Sequence, residues 1–225
     1  MAEEQKEHRK LAAIMFTDIV GYTPLSQKNE SLALELLEEH RTLVQALITK
    51  YQGREIETIG DAFFVEFDSA LPAVQCAIEI QQSLFQRNVS QPEERKIRLR
   101  IGLHLGEVVH VGGHVHGDKV NITSRVHPLA SPGGIVVTED FWQQLKSNPD
   151  YSFVALGARN LKGIKAPVRV FALNKVGLTV PGIRTRLFSR PAFKRAVIIP
   201  VLISLGILSY LFIPGIKQTT AAEVP

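Results

Sequence analysis

The chain has 225 residues, 45% apolar and 21% charged, with a single cysteine, Cys76. That length holds one good-sized domain plus an appendage, and the lone cysteine excludes an internal disulfide and suits a reducing compartment. The net charge of +4 is local: residues 1–183 carry 20 Lys/Arg against 21 Asp/Glu, and residues 184–225 carry 6 against 1, so no basic globular face and no nucleic-acid partner is expected.

Residues 1–10 read as a charged lead-in, frayed or helical, and too polar for a secretory leader. The apolar run Leu11–Phe16 reads as a buried strand with Asp18 at its end. The turn Gly21-Tyr22-Thr23 follows, and a helix begins near Ser26. Ser31 to Tyr51 is an amphipathic helix, with Leu34, Leu37, Val44, Leu47 and Ile48 near helical spacing and Gly53 as its stop. Arg54–Ile59 and Ala62–Phe67 read as hairpin strands about the tight turn Gly60-Asp61. Asp68-Ser69 caps a helix running to about Arg87, on whose apolar side Cys76 is a core residue. Ile97–Leu105 alternates as a strand, and Glu107–Val111 continues it or pairs with it. After Gly112-Gly113 come a helix over 119–129, a strand over 135–137, a helix over 139–146 and closing strands over 152–156 and 168–173.

The tail is distinct. Ala196 to Ile213 carries no charge, Arg184, Arg186, Arg190, Lys194 and Arg195 precede it, and only Lys217 follows closely. A transmembrane helix over 196–216 is expected, after a basic juxtamembrane linker (176–195) and before a short tail (217–225). The positive-inside rule makes this a single-pass protein of the cell inner (plasma) membrane with its main domain, residues 11–175, in the cytoplasm.

The order β-α-β-β-α-β predicts an α+β fold, an α/β sandwich with a ferredoxin-like βαββαβ core, helices on one face and C-terminal additions. That topology sets the end of the first strand beside the tip of the central hairpin, so Asp18 and Asp61 converge. Two hard carboxylates without a Cys/His set suit Mg²⁺ or Mn²⁺, two ions per site, with Ile19 beside Asp18 in the metal set. The backbone N–H groups of Gly21, Tyr22 and Thr23 suit the phosphate of a bound anion. A histidine metal site from His104, His110, His114 and His116 is not expected, because the strand-and-turn context sends the rings in mixed directions.

Four stretches, FTDIVGYT, ETIGDAFFVEF, RLRIGLHLGEVV and GDKVNITSRV, resemble in order and spacing the class III nucleotide cyclase catalytic domain, the adenylate/guanylate cyclase family. The likeness runs from about Leu11 to Leu173. It implies a lyase in which the ribose 3′-hydroxyl of a nucleoside triphosphate attacks the α-phosphate, giving a 3′,5′-cyclic nucleotide and pyrophosphate. It implies that Asp18 and Asp61 hold both metals, and that Asn121 and Arg125 orient the ribose and stabilise charge on the α-phosphate. Arg100 matches a phosphate-contacting arginine of some members, and Lys162 a lysine that grips the triphosphate tail; read alone, they are an exposed strand charge and a surface turn residue. It further implies a head-to-tail homodimer with shared sites, one subunit giving the metals and the other Asn121, Arg125 and the base pocket.

Two base-selecting positions depart from the family pattern. Glu57 resembles a guanylate cyclase and His114 resembles neither usual set. A carboxylate only accepts hydrogen bonds, so Glu57 could take N1–H and the 2-amino group of guanine, or the 6-amino group of adenine, with His114 donating in either case. GTP is favoured slightly over ATP, and a pyrimidine triphosphate stays open. The competing reading is a catalytically weak, cyclase-like nucleotide-binding regulatory module. A palm-like enzyme of another class is disfavoured by the presence of NITSR and the lack of a GGDEF-like hairpin.

Overall fold

A computed structural model describes residues 8–111, 114–116 and 118–181 of the chain. The expected transmembrane helix, most of its basic linker and the final tail lie outside the described residues. Among the described residues, no helix is long and apolar enough to cross a membrane.

Four strands make the first half of the sheet: β1 (His8–Ile19), β2 (Arg54–Ile59), β3 (Ala62–Phe67) and β4 (Leu99–Val111). They lie in the order β2-β3-β1-β4, all antiparallel, which is the arrangement the βαββαβ reading requires. β5 (His114–His116) folds back on the end of β4. β6 (Gly134–Thr138) adds parallel to β4, and β8 (Val168–Asn174) and β7 (Ser152–Arg159) close the sheet. Helices α1 (Tyr22–Lys28) and α2 (Glu30–Lys50) follow β1, α3 (Ala70–Val89) follows β3, α4 (Asp118–Val126) follows β5 and α5 (Glu139–Leu145) follows β6.

Period-two alternation decides what each sheet face buries. Ala13, Met15, Phe63, Val65, Phe67, Leu99, Ile101 and Leu103 face α2, α3 and α5 and form the main core with Leu36, Val44, Ile48, Ala73, Ala77, Ile80, Leu84 and Phe141. Cys76 lies in this core, its thiol pushed up to about 12 by burial and by Glu79, which keeps it unreactive.

The opposite face is covered too, which corrects the expectation of helices on one face only. Ile122 and Val126 of α4 pack with Val136, Leu161, Val170 and Ala172 in a second cluster. The cause is in β6, where every residue is buried: its apolar run has two faces to cover. On the same side of the sheet Ala12, Ile14, Phe64 and Val108 form a third, smaller cluster.

Several boundaries differ from the sequence reading. Residues 8–10, expected in the lead-in, already pair with β4 as strand, and Lys10 is held by Glu66 and Asp68. The helix expected over 31–51 begins at Glu30, because the Asn29 side chain accepts the Leu32 N–H and separates α1 from α2. Ser69 stands at the N-cap of α3 without a side-chain cap bond, and Asp68 pairs with Lys10 instead of capping. Residues 99–111 form one unbroken strand. The chain does not leave the domain at 176: Leu178 packs on the main core, the Thr179 N–H bonds the Gly133 carbonyl at 3.2 Å, and Val180 packs on the second cluster.

Two buried polar side chains, Glu66 and Gln81, tie strands together. Glu66 of β3, with a side chain only 1% exposed, takes Lys10 and Arg54 at 2.6 Å each, linking β1, β2 and β3. Buried Gln81 of α3 donates to the Leu99 and Gly134 carbonyls, at 3.1 and 2.9 Å, where β4 and β6 begin side by side.

Candidate active site

The site starts from the register of β1 against β4. Asp18 stands opposite Arg100, so both side chains rise from the face opposite the main core. Arg100 Nε donates to Asp18 Oδ1 at 3.0 Å and Nη2 donates to Oδ2, a forked pair. His127, in the 3₁₀ turn that ends α4, brings its Nε2 to 3.4 Å from Asp18 Oδ2. Burial pushes the Asp18 carboxyl up, but the hydrogen bonds from His127 and Arg100 outweigh it and hold the group below the usual carboxylate range.

Asp61 comes from the β2–β3 hairpin. Gly60 has φ +61° and Asp61 does not share the positive sign, the pattern of a type II′ turn, which requires glycine first. Arg41 of α2 donates to the Gly60 carbonyl at 3.0 Å and steadies the tip. The Asp61 Oδ2 accepts the Ile19 N–H at 2.8 Å, which fixes this carboxylate against the residue next to Asp18. Burial raises the Asp61 carboxyl above its ordinary range, the Ile19 N–H and its own backbone N–H pull the other way, and the charge of Asp18 adds to the rise. The two expected acids therefore converge, and they repel.

Gly21 follows with φ +80° as the residue before α1. The side chain of Tyr22 packs on the main core, so only its backbone is offered to a ligand. Tyr22 and Thr23 are the first two residues of α1 and bring N–H groups without intrahelical acceptors, whereas Pro24 brings none.

The remaining expected residues lie on several elements. Glu57 is exposed on β2, after an irregularity in register between Glu55 and Glu57. That bulge sets Glu57 opposite Phe64, on the sheet face that carries Asp18; strict alternation from Arg54 would have turned it away. Arg125 is exposed near the end of α4, one helical turn beyond position 121. Asn121 lies in α4 and His114 in β5. Lys162 is exposed in a turn closed by the Ile164 N–H on the Leu161 carbonyl at 3.1 Å, with Gly163 at φ +80°. Leu161 anchors that turn on Ile122 and Val126 of α4. His104 is a core residue, bonded through Nδ1 to Thr138 at 2.8 Å.

His127 and the bulge before Glu57 were not anticipated. Nothing in the sequence joins His127 to Asp18, since the contact depends on where the turn after α4 meets the sheet. The bulge has a faint signal in Arg54-Glu55-Ile56-Glu57, where simple alternation fails to separate the charged from the apolar positions.

The donor set suits a divalent cation. Among the described residues no three His, Cys, Asp or Glu side chains cluster as a metal cage, so two carboxylates plus backbone, water and ligand oxygens is the set this site could offer. The raised Asp61 carboxyl is an observation in favour: burial and, to a lesser degree, the charge of Asp18 raise it, and a cation beside both acids would offset these costs. Arg100 now supplies positive charge to both Asp18 oxygens and would have to yield part of that contact.

Residues 4–175 match the family model described as the Adenylate and Guanylate cyclase catalytic domain. The chain belongs to that family. It is a class III nucleotide cyclase catalytic domain, in a family of lyases. A relative from Rhizobium meliloti, "Putative adenylate cyclase 3", is 35% identical over 164 residues, covering 72% of this chain and 28% of that protein. The chain thus spans little more than a quarter of that relative's length. The crystal structure of an Adenylate/Guanylate Cyclase/Hydrolase from Silicibacter pomeroyi is 33% identical with a TM-score of 0.71, covering 76% of this chain and all but 1% of that one, 99%. An adenylate cyclase structure from Trypanosoma brucei, 24% identical with a TM-score of 0.66 over 76% of this chain and 92% of that one, is alike in fold.

Proposed function

We propose that this chain is a membrane-anchored nucleotide cyclase that converts a nucleoside triphosphate to its 3′,5′-cyclic nucleotide and pyrophosphate for intracellular signalling. The observation that carries the reading is the convergence of Asp18 and Asp61, locked by the Ile19 N–H at 2.8 Å, in a cyclase-family domain. Asp18 and Asp61, with the backbone at Ile19, would hold Mg²⁺ or Mn²⁺, which would supply activation of the attacking hydroxyl and neutralisation of triphosphate charge. The ribose O3′ forms a bond to the α-phosphorus as the bridging bond to the β-phosphate breaks; the hydroxyl proton leaves to solvent or a nearby acceptor, and pyrophosphate departs with the electron pair. Arg100 turns from Asp18 to a phosphate oxygen, and the Gly21-Tyr22-Thr23 backbone receives others. Asn121 and Arg125 come from a second copy, orient the ribose and meet the charge that builds on the α-phosphoryl oxygens. Lys162 grips the tail of the triphosphate, and Glu57 with His114 contacts the base. Glu57 favours guanine slightly, through two adjacent donors, with adenine next. The basic segment and apolar run after residue 183 anchor the chain in the inner (plasma) membrane, with the catalytic domain on the cytoplasmic side.

The full chain in detergent, offered ATP, GTP, CTP and UTP separately with Mg²⁺ or Mn²⁺, should yield one cyclic nucleotide identified by mass. Turnover of ATP alone would overturn the preference for GTP. Mixing an Asp18→Ala chain with an Arg125→Ala chain should restore part of the activity, and no rescue in verified heterodimers would refute the shared site. A second reading, nucleotide binding with little turnover, is favoured by the Arg100 fork that holds both Asp18 oxygens. Tight nucleotide binding without product would select it.

A further inference from the structure

His127 stands out once the site is assembled. It is a buried imidazole, 8% exposed, in the turn that directly follows the helix carrying Arg125. Its ring stacks on Phe16 of β1, with centroids 4.7 Å apart and planes at 29°. Its backbone presses on Gly102 of β4: a Cβ there would lie 2.7 Å from the His127 nitrogen and 2.8 Å from its Cα. The residue is thus fixed from two strands, β1, which carries Asp18, and β4, which carries Arg100.

The polar side of the ring has one outlet. Nε2 lies 3.4 Å from Asp18 Oδ2, and Nδ1 is buried with no hydrogen-bond partner among the described residues. A buried N–H without an acceptor is costlier than a bare ring nitrogen, so the tautomer with hydrogen on Nε2 fits this setting and donates to Asp18. Among the described residues Arg100 also holds Asp18, but its side chain is 29% exposed and suited to a phosphate. When Arg100 turns away, His127 is the partner among the described residues that still defines the rotamer of Asp18.

We propose that His127 is a positioning residue that holds the Asp18 carboxylate in the orientation that receives a divalent cation, and this rests on the reading of Asp18 and Asp61 as the cation-binding pair. The imidazole stands behind a carboxylate ligand, where outer-shell hydrogen bonds tune affinity. Through the same turn it ties that ligand to α4, so the metal acid and the helix of Arg125 move as one piece within each chain.

The test is Mn²⁺ binding to the nucleotide-free full chain in detergent, read by electron paramagnetic resonance. His127→Phe keeps the ring and the stack and removes the N–H; His127→Gln restores an N–H donor of similar reach. His127→Phe should bind Mn²⁺ about tenfold more weakly, the lower end for outer-shell changes, and His127→Gln should recover most of the loss. A purely packing role predicts the reverse order, because Phe preserves the stack better than Gln. His127→Phe binding Mn²⁺ as tightly as the unaltered chain, or more tightly, overturns the proposal. Should the Phe variant not melt cooperatively, His127→Met against His127→Gln decides: weaker binding by Met supports the proposal and equal binding overturns it. An unaltered chain whose Mn²⁺ binding is unaffected by Asp61→Asn overturns the two-acid site and this inference together. Site-dependent binding that His127→Phe leaves unchanged overturns this inference alone.

Discussion

Replacing Glu66 by Gln keeps the shape of the side chain and deletes its charge. Removing one partner of a fully buried ion pair costs about 3–5 kcal/mol. Here the acid is 1% exposed, but Lys10 and Arg54 are 34% and 52% exposed, so water takes over part of what the carboxylate supplied. Surface pairs contribute about 0–1 kcal/mol, and a position between the two regimes gives about 2 kcal/mol. For a domain of this size that corresponds to a fall in Tm of about 4–8 °C. Urea unfolding of both proteins at neutral pH measures it, and a pH series tests its origin. Burial opposes the charge on Glu66, yet Lys10 and Arg54 hold its carboxyl below the usual range. Its stabilisation is therefore fully present above the unfolded value of about 4.3 and is lost as pH falls through the lower folded value. The gap between the two proteins should close on acidification. A gap under about 0.5 kcal/mol at neutral pH, or one unchanged in acid, refutes the assignment.

Asp61→Asn should raise the Tm of the metal-free chain while abolishing Mn²⁺ binding. Burial and Asp18 raise the Asp61 carboxyl, so its charge opposes folding above the folded value and ceases to do so below the unfolded one. A lower Tm in chelator would contradict this. Gln81→Met removes donors to the Leu99 and Gly134 carbonyls and should cost about 1–3 kcal/mol in urea unfolding, tempered because Leu99 keeps the Gly133 N–H at 2.8 Å. Gly102→Ala forces a methyl against the His127 backbone and should destabilise by about 1–3 kcal/mol. An unfolding midpoint within error of the parent would show that this turn gives way freely.

Much of this architecture is legible in the chain because local signals agree with the sheet. The hairpin strands Arg54–Ile59 and Ala62–Phe67 have the expected ends, since apolar runs flank a Gly-Asp turn that glycine makes possible. Asp18 and Asp61 converge for the same reason: strand order fixes their neighbours. What escapes notice depends on distant partners. The charged residues at 8–10 do not read as strand, because only pairing with β4 makes them one. The position of α4 on the second face follows from burial on both sides of β6, which a run of three apolar residues understates. His127 gives no warning, since neither Phe16 nor Gly102 names it as a neighbour.

The segment after β8 bears on how this domain can be excised for expression. The family match ends at residue 175. A recombinant fragment cut there would strip Leu178 and Val180 from their apolar neighbours and deprive the Gly133 carbonyl of the Thr179 amide. Gly133 is itself bonded to the Leu99 carbonyl, one residue from Arg100, so a short cut would loosen β4 on its β6 edge, beside the start of the strand that carries Arg100. A boundary at 181 or beyond keeps that edge clamped.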